Sequence, residues 1–101
     1  MPMWILRTVG EDEPEKVFRI LPGGVRTLGR ATGADFSVDA ALVSRIHCRL
    51  TATPGGGLEV RDLDSTNGTY VNGERVESAQ LASGDRIQIG RVELIAVHDN
   101  D

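Results

Sequence analysis

Cysteine is nearly absent from this chain of 101 residues: Cys48 stands alone, so no disulfide can close within it and no cysteine-based zinc site exists. The two histidines, His47 and His98, lie far apart with no third ligand at a recognised spacing, and neither a metal nor a cofactor is expected. Long apolar runs are missing too. The longest extend for a few residues against the ~20 that a membrane-spanning helix needs, so no membrane association is expected. Met1 to Leu6 carries no basic leader and Arg7 ends its apolar stretch, which argues against a signal peptide. A reducing, cytoplasmic setting is the simplest expectation.

Positive charge is also scarce. The formal net charge is −4, whereas general nucleic-acid affinity rests on a basic face that neutralises many phosphates, so no nucleic-acid partner is expected. Lys16 is the only lysine; the other ten basic residues are arginines, which suit forked recognition of phosphate. A coding bias toward arginine explains the same composition equally well. Acidic residues cluster at Glu11, Asp12, Glu13 and Glu15, around Pro14, and read as a solvated hairpin connection.

Helical periodicity is the last absence. No window places apolar residues at i, i+3, i+4 and i+7 without a Gly or Pro interrupting it. Short apolar or alternating runs recur instead, at Trp4–Val9, Lys16–Leu21, Val25–Gly29, Phe36–Val38, Ile46–Thr53, Leu58–Leu63, Thr69–Asn72, Arg75–Val76, Arg86–Ile89 and Val92–His98. A further short strand is expected near Gln80–Ala82. Turn chemistry separates them, at Pro22-Gly23-Gly24, Pro54 to Gly57, Asn67-Gly68, Asn72-Gly73, Ser83-Gly84-Asp85 and Gly90. Many short strands with regular turn signals predict an all-β sandwich or barrel in one domain, residues 1–101. Alternation puts Ile46, Cys48, Leu50 and Ala52 on one face, with His47, Arg49 and Thr51 on the other. Cys48 is then a core residue rather than a reactive one. Phe18, Ile20, Leu58, Val60, Ile87 and Ile89 extend that core. Val92–Val97 is apolar on both faces, which predicts a central, covered strand.

Three polar clusters exceed what a sandwich needs. They are Leu28-Gly29-Arg30, Ser44-Arg45-Ile46-His47, and Asp64 to Thr69 followed by Tyr70-Val71-Asn72-Gly73. All fall at strand ends or in loops, where a rigid β scaffold presents binding groups. Each alone has a plain structural explanation, since Asn-Gly pairs are strong hairpin signals and Asp, Ser and Thr form ordinary turns. Their order and spacing are another matter. Gly-Arg, then Ser-x-x-His, then Ser-Thr-Asn-Gly-Thr-x-Val-Asn-Gly resembles the forkhead-associated (FHA) domain, a non-catalytic phosphothreonine-binding module.

The resemblance implies an all-β, eleven-stranded, antiparallel-dominated β-sandwich of the FHA/SMAD-like kind, monomeric, with its core at about residues 3–98, whose loops at one end grip an extended phosphothreonine peptide. Carried over by motif position, Arg30 and Ser44 would contact the phosphate, with Arg45 beside them. Thr66 would hydrogen-bond near the phosphate and Asn67 would hold the peptide backbone. Gly29 and His47 match architectural positions, and Gly68, Asn72 and Gly73 would shape turns that support the binding loops. The implied partner is a phosphothreonine-bearing protein, a Ser/Thr kinase or its substrate, in a source that the composition suggests is bacterial.

Two other functions compete. Ser44, His47 and Asp64 could be taken for a hydrolase triad, but residues 44 and 47 tend toward opposite faces of an extended chain and no Gly-x-Ser-x-Gly elbow is present. A domain of this shape could also serve as a phosphate-independent docking or oligomerisation module. Keeping Arg30, Ser44, Thr66 and Asn67 together argues against that, because such a module has no need of them.

Overall fold

The computed structural model describes residues 3–10 and 15–99. The acidic stretch from Glu11 to Pro14 and the last two residues lie outside them, so the solvated hairpin expected there is not assessed. Eleven strands form among the described residues. They are β1 (Met3–Val9), β2 (Val17–Ile20), β3 (Val25–Gly29), β4 (Phe36–Ser37), β5 (Cys48–Ala52), β6 (Leu58–Asp62), β7 (Thr69–Val71), β8 (Glu74–Val76), β9 (Ser78–Leu81), β10 (Arg86–Ile89) and β11 (Val92–Asp99). No helix occurs among the described residues.

The strands make two sheets, a six-stranded one in the order β2-β1-β11-β10-β7-β8 and a five-stranded one in the order β4-β3-β5-β6-β9. Every pairing is antiparallel except β3 with β4, in which Leu28 lies opposite Phe36. The two sheets face each other across one continuous cluster of aliphatic side chains, with Leu6, Leu28, Leu50, Val60, Ile87 and Leu94 at its centre, all fully buried. Period-2 alternation explains why these positions share the inner face.

Three details depart from the sequence reading. Alternation in β5 begins at Cys48, not Ile46. Ile46 is 38% exposed while His47, expected on the outer face with Arg49, is 0% exposed. The chain is bent from Arg45 to Ile46, which shifts the phase, and His47 is drawn inward because buried backbone groups satisfy both of its ring nitrogens. Second, β11 is central, between β1 and β10, but is covered on one side only. Leu94 and Ala96 are buried against the other sheet, while Ile95 and Val97 remain half-buried on the outer face. Third, Phe18 is half-buried at the rim of the core, stacked on Phe36 at 4.7 Å between ring centroids.

What matters for the site is where the strands stop. Leu28, Cys48 and Asp62 face one another across β3, β5 and β6 and form the last rung at one end of the five-stranded sheet. From that rung the β3–β4, β4–β5 and β6–β7 loops leave together.

Candidate phosphopeptide-binding site

The three loops are laced by backbone hydrogen bonds before any side chain is considered. Arg30 N–H donates to the Ser44 carbonyl at 2.9 Å, and Ala31 N–H to the Arg45 carbonyl at 3.0 Å. His47 N–H donates to the Leu28 carbonyl at 2.9 Å, and its own carbonyl accepts from Leu63 N–H at 3.0 Å. This close approach requires a glycine at position 29. A Cβ there would overlap the Arg45 carbonyl oxygen and stand 2.9 Å from Ile46 Cα.

His47 locks the β4–β5 loop to the β6–β7 loop. Its Nδ1 accepts the Ser44 backbone N–H at 3.0 Å, and its Nε2 lies 2.8 Å from the Gly68 carbonyl, to which it donates. Both ring nitrogens are therefore occupied by main chain, and neither serves the Ser44 hydroxyl as a catalytic base would. Ser44 Oγ instead accepts the Thr66 backbone N–H at 3.1 Å.

Arg30, Ser44, Arg45, Thr66 and Asn67 all line one open depression of about 680 Å³, whose remaining wall is the segment Asp39–Val43. Five residues spread over 38 positions of sequence thus meet on one surface, with Asp39 the acidic member among two arginines. Their hydrogen bonds leave specific groups unspent. Arg30 uses Nε on the Val43 carbonyl at 3.1 Å, which anchors the guanidinium and leaves its terminal Nη groups uncommitted as donors. Ser44 accepts from Thr66 and keeps its own hydroxyl proton to give. Asn67 spends one Nδ2 hydrogen on the Leu42 carbonyl at 3.0 Å, retaining the other and its Oδ1. Thr66 and Arg45 are exposed, with no side-chain partner among the described residues.

Asp62 and Asp35, which the sequence reading passed over, organise these loops. Asp62 Oδ1 accepts from the Ser65 hydroxyl at 2.6 Å and the Thr69 hydroxyl at 2.7 Å, while Oδ2 takes the Ser65 N–H at 3.1 Å. Ser65 Oγ in turn accepts Gly68 N–H at 2.9 Å. Partial burial works to raise the Asp62 pKa, but these donated bonds and the nearby His47 outweigh it, so the carboxyl is held below its ordinary value. Asp35 Oδ2 accepts Thr27 N–H at 2.9 Å while Asp35 N–H donates to Thr27 Oγ1 at 3.0 Å, clasping the β3–β4 loop to its strand. An acid two or three residues before a Ser-Thr turn is a usable signal for such a clasp.

Asn72 and Gly73 sit elsewhere than expected. They form the two-residue β7–β8 turn, with φ of 50° and 87°, at the end of β7 away from the loops. Asn72 Nδ2 donates to Asp85 at 3.1 Å and its Oδ1 accepts Arg86 N–H at 2.9 Å, so it braces the next turn and not the binding loops. That geometry, with φ > 0 at both central positions, is the hairpin preference of Asn-Gly.

The chain belongs to the FHA family: the FHA domain model matches residues 26–90, more than half of it. It is 44% identical over 82 residues to the ABC transporter ATP-binding/permease protein Rv1747 of Mycobacterium tuberculosis, a match covering 81% of this chain and 9% of that protein. It is 46% identical over 67 residues to the glycogen accumulation regulator GarA of Mycolicibacterium smegmatis, covering 66% of this chain and 42% of that one. The chain thus spans less than half the length of both relatives. Among solved structures it superposes with a TM-score of 0.83 and 33% identity on a domain studied for phosphothreonine-dependent FHA interactions, over 94% of this chain and 95% of the other.

Proposed function

We propose that this chain is a non-catalytic, cytoplasmic module that binds phosphothreonine peptides produced by a Ser/Thr kinase, using the depression at the end of the five-stranded sheet. The observation that carries this reading is the convergence of unspent donors. Arg30, Ser44 and Thr66 bring uncommitted N–H and O–H groups to one depression, while Asn67 adds both a donor and an acceptor. Phosphothreonine presents three strong acceptor oxygens and ≈ −1.5 to −2 charges at neutral pH. The outer edge of Arg30 can hold two of those oxygens in parallel, a geometry that an ammonium cannot reproduce. Ser44 donates to the phosphate without adding charge, and Thr66 completes the contact. Asn67 can give a hydrogen to a peptide carbonyl and accept from a peptide N–H, which sets the ligand's path independently of its side chains. Arg45 raises the local positive potential at the rim.

Titration calorimetry with one peptide in phosphorylated and unphosphorylated forms tests the reading. Only the phosphorylated form should bind. Arg30→Ala should weaken binding by about 1.5–3 kcal/mol or more, and Arg30→Lys should recover only part of the loss. Binding should also weaken below the phosphate's second pKa of ≈ 6. Equal affinity for the two forms would overturn phosphate recognition and favour phosphate-independent docking.

A further inference from the structure

We infer that Arg75, on edge strand β8 and outside all three motifs, is a specificity-determining residue that selects a carboxylate side chain in the bound peptide. This rests on the reading that Asn67 holds the peptide backbone, and extends it to the residue beside that contact. Unpaired arginines are common on this surface, so lack of a partner alone means little. What sets Arg75 apart is its seat. A Cβ on Gly68 would stand 2.7 Å from Arg75 Nε and 3.0 Å from Cζ, so the guanidinium lies directly over the bare backbone of Gly68. Gly68 is buried even though it sits in a loop.

The seat is fixed from both sides. The Gly68 amide is held by Ser65 Oγ at 2.9 Å and its carbonyl by His47 at 2.8 Å. On the other side, the Asn72-Gly73 turn sets the β7–β8 register that places Arg75 opposite Tyr70. The charge at the end of this arrangement is exposed and makes no ion pair among the described residues, whereas Arg86 pairs with Glu93 at 2.6 Å. Gly68 follows Asn67 directly, and adjacent Cα atoms are about 3.8 Å apart. Arg75 does not line the depression itself, so a peptide whose main chain is paired to Asn67 would meet it through a side chain that extends past Gly68 at the depression's edge. A planar guanidinium lying over the Gly68 backbone favours a carboxylate there and disfavours a lysine or arginine.

The test is a positional scan of a phosphothreonine peptide with alanine flanks, in which Asp or Lys is placed at each flanking position in turn. Binding is read by fluorescence polarisation for the wild type, Arg75→Ala and Arg75→Glu. At one position Asp should bind about threefold to fivefold tighter than Lys, the range of a solvent-exposed ion pair, and the gap should shrink at high salt. Arg75→Ala should abolish the gap at that position alone, and Arg75→Glu should reverse it, each gap being taken relative to the same protein's affinity for the all-alanine phosphopeptide. Phosphate-dependent binding with the same Asp/Lys profile in all three proteins would overturn the role of Arg75 and leave phosphothreonine recognition standing. Absence of phosphate-dependent binding in the wild type would overturn both.

Discussion

The hydroxyl oxygen of Ser44 accepts the backbone N–H of Thr66 at 3.1 Å, which joins the β4–β5 loop to the β6–β7 loop through the residue proposed to touch phosphate. On that proposal, ligand contact and loop alignment are the work of one side chain. Ser44→Ala removes both a donor to the phosphate and the anchor of Thr66. Binding should fall by roughly ten-fold to a hundred-fold, in keeping with loss of a hydrogen bond to a charged group. Circular dichroism should show an unchanged fold, since Ser44 lies outside the buried cluster. Near-wild-type affinity in Ser44→Ala would remove it from the site.

The two loop glycines separate space from backbone conformation. At Gly29 the obstacle to a side chain is the Arg45 carbonyl, which is main chain and tied to Ala31 at 3.0 Å. At Gly68 it is the far end of Arg75, free to swing away, and the remaining cost is φ of +89°. Gly29→Ala should thus destabilise by about 1–3 kcal/mol or more, as overpacking does, and weaken peptide binding by prising the loops apart. Gly68→Ala should cost only about 1–2 kcal/mol, the left-handed penalty for an L-residue. Urea denaturation of both variants checks the order, and a milder effect at position 29 would contradict it.

His47→Ala should be the most damaging of the motif changes. The ring is fully buried and joins two loops by main-chain contacts at 3.0 and 2.8 Å. Its removal strands the Ser44 N–H and the Gly68 carbonyl and leaves a cavity, at about 2–4 kcal/mol in total. For a domain of this size that lowers the melting temperature by roughly 10–20 °C. A melt within a few degrees of wild type would show that water or a loop shift replaces the ring.

Much of this architecture is readable along the chain, because burial on one face of a pleated strand leaves a period of two. Leu58–Asp62 and Arg86–Ile89 follow that rule and fall close to where alternation puts them. The rule fails where tertiary contacts override it. His47 looks like an outward residue of a regular strand until Gly68, twenty-one positions on, supplies its second partner. Asp62 reads as the end of an alternating run, and only the folded β6–β7 loop brings Ser65 and Thr69 onto its oxygens. Arg75 belongs to no motif, because its relation to Gly68 depends on hairpin register. Asn72-Gly73 illustrates the converse: the turn is evident from sequence, but the side chain's partners, Asp85 and Arg86, are not.

Asp62 gives the fold a directional pH dependence. Its folded-state pKa lies below the ordinary value because the Ser65 and Thr69 bonds outweigh partial burial. The carboxylate's contribution is fully present above an unfolded pKa of about 4 and is lost as pH falls through the lower folded value. Asp62→Asn should cost about 1–2 kcal/mol at pH 7, since its amide keeps one acceptor in place of two charged ones. The gap between variant and wild type should narrow as pH drops below about 4. A gap independent of pH would show that Asp62 acts through packing and not charge.

Cys48 reports on whether the site end of the sandwich stays closed. The thiol is fully buried in the last rung, opposite Leu28 and Asp62. Burial, with the nearby Asp62 charge adding and a Thr69 hydrogen bond opposing, pushes its pKa up to about 12. Thiolate is the reactive form, so at pH 8 the native protein offers almost none, and none of it is accessible. Labelling by a disulfide-exchange reagent should be very slow in the folded wild type and complete on denaturation. Because Gly29 follows Leu28 in the strand paired to Cys48, Gly29→Ala should speed native-state labelling more than Gly68→Ala does. Rapid, stoichiometric labelling of the folded wild type would contradict a closed end, whereas graded labelling across the two variants would measure how far each loosens the rung beneath the loops.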